Sequence, residues 1–135
     1  MTKTYPASLD KLYEMLHFIR ENATQAGFNE TEVVKIELAV EEALVNIISY
    51  GYPNTSGHIS LSCSIQEKEG IRIVIQDKGI PYNPLTNSKL FDPESALETR
   101  GIGGYGIFFI LKIMDEVKYD RENNSNILTL TKYIE

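Results

Sequence analysis

The chain has 135 residues, of which 42% are hydrophobic and 24% are charged, and its formal net charge is -6. These values are typical of one soluble domain, residues 1–135, with a sizeable core. The acidic balance argues against bulk nucleic-acid or membrane binding, but it allows an anion held by backbone amides and a metal. The single cysteine, Cys63, excludes an internal disulfide, and the N-terminus does not resemble a signal peptide, so we expect a cytoplasmic protein.

Helical patterns dominate the first 51 residues. Thr2–Tyr5 is predicted as a short strand, and Ser8 as the N-cap of a helix that ends near Gly27. A second helix begins at Asn29 or Thr31 and runs to about Gly51, before a proline that forbids much continuation.

An acidic and an amide side chain, Glu42 and Asn46, lie one turn apart in this second helix. The helical wheel places them on one face, whereas Glu41 falls with the surface carboxylates. Such a pair either forms a hydrogen-bonded packing contact or lines a wet site, and the helix alone leaves both interpretations open. In a wet site, Asn46 offers a neutral oxygen to Mg²⁺ and Glu42 can accept a proton from a hydroxyl or water.

Two strands follow, and a long segment without periodicity separates them from the last elements. Alternation predicts strands at His58–Ile65 and Ile71–Asp77, joined as a hairpin across Glu67–Gly70. Residues 78–103 show little periodicity apart from a short helix near Pro93–Glu98, and a loop of this length is usually functional or mobile.

The last third of the chain predicts a helix and a final hairpin. Gly104–Met114 is strongly apolar, and Glu116–Tyr119 pairs with Ile127–Tyr133 across Glu122–Ser125. The predicted fold is therefore an α/β (α+β) sandwich, in which helices pack on one face of a mixed, mostly antiparallel sheet.

A carboxylate stands at the end of the second predicted strand, in Asp77-Lys78-Gly79-Ile80-Pro81. Gly79 and Pro81 turn the chain there, so Asp77 can accept a hydrogen bond from an exocyclic amino group such as that of adenine. Ile80 would supply an apolar wall beside the base. Taken alone, the pattern favours a plain surface turn.

A glycine cluster directly precedes the last predicted helix, at Gly101, Gly103, Gly104 and Gly106. Glycines let the backbone approach a phosphate, helix N-terminal amides favour an anion, and the preceding Arg100 could reach a terminal phosphate. The cluster alone is a weak signal, because it lacks both the β-α-β context of a dinucleotide site and the Lys-Ser/Thr end of a P-loop.

Taken together, the motifs Glu-x-x-x-Asn, Asp-x-Gly-x-Pro and Gly-x-Gly-Gly-x-Gly resemble, in order and spacing, the GHKL ATPase family with its Bergerat ATP-binding fold. Several segments further resemble the anti-sigma factor serine/threonine kinases of the RsbW and SpoIIAB type: Glu37–Asn46, Gly51-Tyr52, Met114–Val117 and Leu128–Lys132. The resemblance extends over nearly the whole chain, from Tyr5 to Lys132.

This resemblance implies a role for each motif. Glu42 would be the catalytic base, Asn46 the Mg²⁺ ligand, and Asp77 the adenine contact with Gly79 beside it. Residues from about 84 to 100 would form a lid over ATP, and the glycines with Arg100 would hold its phosphates. One departure is Tyr50, which replaces a histidine often found one turn after the asparagine and changes the surroundings of the base.

The implied cofactors are ATP and Mg²⁺, and the implied partners are proteins. In the resembled branch, a serine or threonine of a STAS-domain anti-anti-sigma protein is phosphorylated and a sigma factor is bound, and its members include dimers. No direct nucleic-acid or membrane contact is expected. The leading hypothesis is a protein serine/threonine kinase in a partner switch. The alternatives are a non-catalytic, ATP-dependent sequestering module and a structural protein with an accidental glycine run.

Overall fold

A computed structural model describes residues 1–52, 57–66, 69–84 and 106–134. Its five described strands form one sheet in the order β1-β2-β3-β5-β4, and every pairing is antiparallel. The strands are β1 (Thr2–Pro6), β2 (His58–Gln66), β3 (Gly70–Asp77), β4 (Glu116–Glu122) and β5 (Ser125–Tyr133).

Three α-helices are described: α1 (Leu12–Ala26), α2 (Glu30–Asn46) and α3 (Gly106–Ile113). A short 3₁₀ turn, Leu9–Lys11, precedes α1, and a π-helical turn, Ile47–Gly51, extends α2. None of the described helices has the length and apolar character needed to cross a membrane.

Local chemistry explains where the helices begin and end. The Ser8 hydroxyl accepts a hydrogen bond from the Asp10 amide at 3.1 Å, but it caps the 3₁₀ turn and not α1, whose N-cap position is held by Lys11. Gly27 ends α1 in the left-handed conformation, with φ of 107°, which glycine adopts without the steric cost of a Cβ. Asn29, rather than Thr31, caps α2, because its side chain accepts from the Glu32 amide at 2.9 Å.

The core lies between the helices and one face of the sheet. Alternate residues of β2 and β3 are buried there: Ile59, Leu61 and Cys63 from β2, and Ile71, Ile73 and Ile75 from β3. Helix α2 contributes Val33, Ile36, Val40 and Ala43 to the same core, with Ile47 partly buried against it. The predicted α+β fold class is therefore confirmed, and among the described strands the sheet is wholly antiparallel.

The final hairpin forms as predicted across residues 122–125. Asn123 and Asn124 have φ angles of 50° and 64°, as in the tight primed turns that match the twist of paired strands. The predicted helix at Gly104–Met114 begins, within the described residues, at Gly106. The predicted short helix at Pro93–Glu98 lies outside the described residues.

Candidate functional site

The Asp77 carboxylate at the end of β3 is held by two donors. Its side chain is buried, and Oδ1 accepts from the Gly79 amide at 2.9 Å and from Asn126 Nδ2 at 3.0 Å. The first bond closes a turn of the kind that aspartate favours after a strand, and the second comes from the neighbouring strand β5. The carboxylate is therefore fixed both by its own turn and by the sheet.

The turn after β3 packs against the end of the α2 extension. The Ile80 amide donates to the Gly51 carbonyl at 2.9 Å. A Cβ on Gly79 would lie only 2.4 Å from that same oxygen, so no other residue fits without a shift of backbone. Arg121 Nη1 donates to the Gly79 carbonyl at 2.9 Å. The turn is therefore fixed against Gly51 and Arg121, and it is not the plain surface turn that its sequence alone favoured.

A small cavity lies beside this turn and brings residues from distant elements together. Its volume is about 30 Å³, and its lining residues are Ala43, Asn46, Ile47, Asp77, Tyr82, Pro84, Ile110 and Leu128. Such a volume holds about one water and is smaller than a purine ring. Asn46, predicted to bind the metal, and Asp77, predicted to bind adenine, thus line the same cavity.

The side chains of Glu42 and Asn46 form no hydrogen bond with each other or with any other described residue. Both side chains are half-buried, and Glu42 does not line the cavity. Burial and, to a smaller extent, the charge of Glu41 raise the pKa of the Glu42 carboxyl. The described structure therefore contains no hydrogen-bonded packing pair at these positions, and both polar groups remain available to a ligand.

Asn46 has the donor chemistry for a magnesium ion. Among the described residues, no cluster of three or more His, Cys, Asp or Glu side chains forms a closed metal site. Mg²⁺ keeps several waters and takes few protein ligands where it also binds substrate phosphates. A single neutral oxygen at the cavity wall fits that pattern.

The tyrosines near the site divide into two groups. Tyr52 joins β2 to the turn, because its hydroxyl donates to the His58 carbonyl at 3.0 Å and accepts from the Lys78 amide at 2.7 Å. Tyr50 is half-exposed, and after burial it is the second cause that raises the pKa of the Tyr82 phenol. Tyr50 is not among the causes that raise the pKa of Glu42, which are burial and Glu41. Its electrostatic effect is on the pKa of Tyr82 instead.

The remaining predicted site residues have different outcomes. Ile80 is half-exposed, and its backbone amide and carbonyl both form hydrogen bonds, to Gly51 and Asn126. Gly106 is the first residue of α3, whose Ile110 lines the cavity. Four residues lie outside the described part of the chain: Arg100, Gly101, Gly103 and Gly104.

Sequence reasoning missed the residues that hold Asp77 and its turn. These are Gly51, Tyr119, Arg121 and above all Asn126, which is buried and opposite Asp77 in the β3–β5 register. Asn126 follows the Asn123-Asn124 turn and has no distinguishing local pattern. Only the pairing of two non-consecutive strands shows its place.

Comparison with known proteins shows which proteins this chain is similar to. A family model described as a histidine kinase-like ATPase domain matches residues 5–132. A serine-protein kinase RsbW from Oceanobacillus iheyensis is 32% identical over 117 residues, which cover 83% of this chain and 72% of that protein. A serine-protein kinase RsbW from Staphylococcus aureus strain JH9 is 34% identical over 116 residues, which cover 82% and 72%.

Proposed function

Because this chain belongs to the histidine kinase-like ATPase domain family, we propose that it is an ATP-dependent protein serine/threonine kinase. Its substrate would be a serine or threonine hydroxyl of a STAS-domain antagonist, and it would also sequester a sigma factor. The observation that carries the proposal is the convergence of Asn46 and Asp77 on one cavity. The RsbW relatives, which are named as serine-protein kinases, support the choice of reaction.

Asp77 would select the nucleotide base. A fixed carboxylate accepts a hydrogen bond from the adenine amino group, and a guanine or hypoxanthine carbonyl offers no donor at that position. The two bonds to Oδ1 hold the group in place before the ligand arrives, so little orientational freedom is lost on binding. Binding of the base would therefore depend on the β3 end of the site.

Asn46 and the glycine cluster would hold the phosphates. Asn46 would bind Mg²⁺, which neutralises charge on the β- and γ-phosphates when it is present. The cluster runs into the N-terminus of α3 at Gly106, and backbone amides at a helix N-terminus favour an anion. Arg100, which precedes the cluster, would add a charge-assisted hydrogen bond to a terminal phosphate.

Glu42 would act as the catalytic base. Burial raises the pKa of its carboxyl, and a higher pKa makes the carboxylate a better proton acceptor for a partner hydroxyl. Because Asn46 lies one turn further along the same helix, the proton acceptor and the phosphate-binding end would face the same side. The remaining contribution of the protein is positioning and electrostatic stabilisation, as is usual in phosphoryl transfer.

Labelled phosphate transfer to candidate STAS-domain proteins tests the proposal. We expect Glu42→Gln to abolish transfer while calorimetry still detects binding of Mg-ATP, because the base acts on the hydroxyl and not on the nucleotide. Glu41→Gln is the matched control on the same helix, and it should retain transfer. Asn46→Ala should weaken binding of Mg-ATP.

The assay also separates the proposal from its alternatives. ATP binding together with partner binding, but with no transferred phosphate on any STAS-domain protein tested, would support a non-catalytic sequestering module instead. Absence of Mg-ATP binding that Asn46→Ala leaves unchanged would support a structural protein without a nucleotide site.

A further inference from the structure

We propose that Asn126 determines the preference of the site for a 6-aminopurine, because it holds the Asp77 carboxylate in one orientation. This inference rests on the proposed function, in which Asp77 accepts a hydrogen bond from the adenine amino group. Asn126 itself is a positioning residue. It acts on the base through Asp77 and through the turn that follows β3.

The side-chain amide of Asn126 uses its full bonding capacity. Nδ2 donates to Asp77 Oδ1 at 3.0 Å and to the Ile80 carbonyl at 2.9 Å. Oδ1 accepts from the Tyr82 amide at 3.3 Å and from the Tyr119 hydroxyl. An asparagine amide has two donor hydrogens and two acceptor lone pairs, so all four are satisfied. Asn126 is 6% exposed, and water therefore offers little competition for these bonds.

The partners of Asn126 permit only one orientation of its amide. Rotation by 180° would place Oδ1 against two acceptors, the Asp77 carboxylate and the Ile80 carbonyl. The same rotation would place Nδ2 against the Tyr82 amide, which is itself a donor. Because both exchanges leave buried polar groups unpaired, the network fixes a donor toward Asp77.

This donor controls which oxygen of Asp77 is left for a ligand. The Gly79 amide and Asn126 Nδ2 both bond to Oδ1, and no described residue donates to Oδ2. The carboxylate therefore presents an acceptor of fixed direction. An acceptor pairs with the amino group of adenine and repels the carbonyl oxygen of hypoxanthine or guanine. Without Asn126, only the Gly79 amide would restrain the carboxylate, and the discrimination would weaken.

Asn126 also links Asp77 to the segment that follows the turn. Its bonds to Ile80 and Tyr82 fix two backbone positions of the segment that contributes Tyr82 and Pro84 to the cavity wall. One side chain thus sets both the acceptor and part of the wall against which a base would pack. Loss of this amide should change base discrimination more than it changes phosphate binding.

Calorimetric titration with Mg-ATP and Mg-ITP provides the test, because ITP carries an oxygen where ATP carries the amino group. We expect wild-type protein to prefer ATP. The ratio of the two affinities should fall about tenfold in Asn126→Ala, since a bond that orients a charged group is lost. Tyr119→Phe removes only one bond to the Asn126 oxygen, and the ratio should fall by a few fold.

Asn22→Ala is the control for loss of a buried asparagine. Asn22 Nδ2 donates to the Phe18 carbonyl at 2.8 Å within α1, away from the cavity. This variant should lose stability and yet keep the wild-type affinity ratio. A lower ratio in Asn126→Ala together with an unchanged ratio in Asn22→Ala would support the inference.

Two results would overturn it, and they are distinguishable. If wild-type protein prefers ATP but folded Asn126→Ala keeps the same ratio, the inference is wrong and the proposed function stands. If wild-type protein binds neither nucleotide, the proposed function fails and the inference fails with it. Should Asn126→Ala not fold, Tyr119→Phe decides, and an unchanged ratio in that variant overturns the inference.

Discussion

The close approach of Gly79 to Gly51 gives a quantitative prediction for Gly79→Ala. A Cβ at Gly79 would lie 2.4 Å from the Gly51 carbonyl oxygen and 2.8 Å from its carbon. These backbone atoms have no rotamer to change, so the turn must move away from α2 and lose the bond from the Ile80 amide. Overpacking typically costs 1–3 kcal/mol and a lost hydrogen bond about 1, so the free energy of unfolding should fall by about 2–4 kcal/mol.

Urea unfolding followed by circular dichroism measures this change, and Gly51→Ala is its matched control. A Cβ at Gly51 would meet Ile47 Cγ2 at 3.4 Å and Asp77 Oδ1 at 3.9 Å, which are ordinary contacts. That variant should stay within about 1 kcal/mol of the wild type. Equal losses from the two alanines, or an unchanged midpoint for Gly79→Ala, would refute the reasoning.

Three single side chains give further expectations. Burial raises the pKa of the Glu42 carboxyl above its ordinary value of 4.5, so ionisation of this group lowers the free energy of unfolding as the pH rises past that value. In urea unfolding, Glu42→Gln should therefore be more stable than wild type above that pH and equally stable below it. Burial raises the pKa of the Cys63 thiol to about 12, so maleimide labelling of native protein at pH 8 should be slow and should accelerate in urea. Asn29→Ala should cost about 1 kcal/mol in urea unfolding by removing the cap on Glu32, whereas Thr31→Ala should cost less.

The elements of this fold could be predicted from the sequence because their signals are local. The alternation in His58–Ile65 predicts which side chains face the core, and β2 indeed buries Ile59, Leu61 and Cys63, with Ile65 partly buried. Gly27 marked the end of α1 for a reason confined to its own backbone. Ser8 caps the 3₁₀ turn, and α1 itself begins after Lys11, one turn later than predicted. The choice between Asn29 and Thr31 depended on one hydrogen bond, which the sequence pattern does not specify.

The wall of the site was harder to predict because its contacts are not local. Asp77 pairs with Asn126 across 49 positions of sequence, through two strands that are not consecutive. Gly79 approaches Gly51 at the end of the π-helical turn, and the sequence of residues 47–51 is equally compatible with an α-helix. The sequence therefore predicted Glu42, Asn46 and Asp77 as site residues, but it did not predict the contacts that position Asp77.

The two ends of the candidate site are held differently, and this difference separates their proposed roles. Asp77 has two described donors on one oxygen, whereas the side chains of Asn46 and Glu42 form no hydrogen bond to any described residue. A preorganised acceptor binds its partner with little loss of entropy, which favours affinity and base selectivity. Unpaired polar groups on a helix are instead available to a metal and a hydroxyl that arrive with the substrates. Asn126→Ala should therefore lower the ratio of ATP to ITP affinity, and Glu42→Gln should abolish phosphate transfer without preventing nucleotide binding.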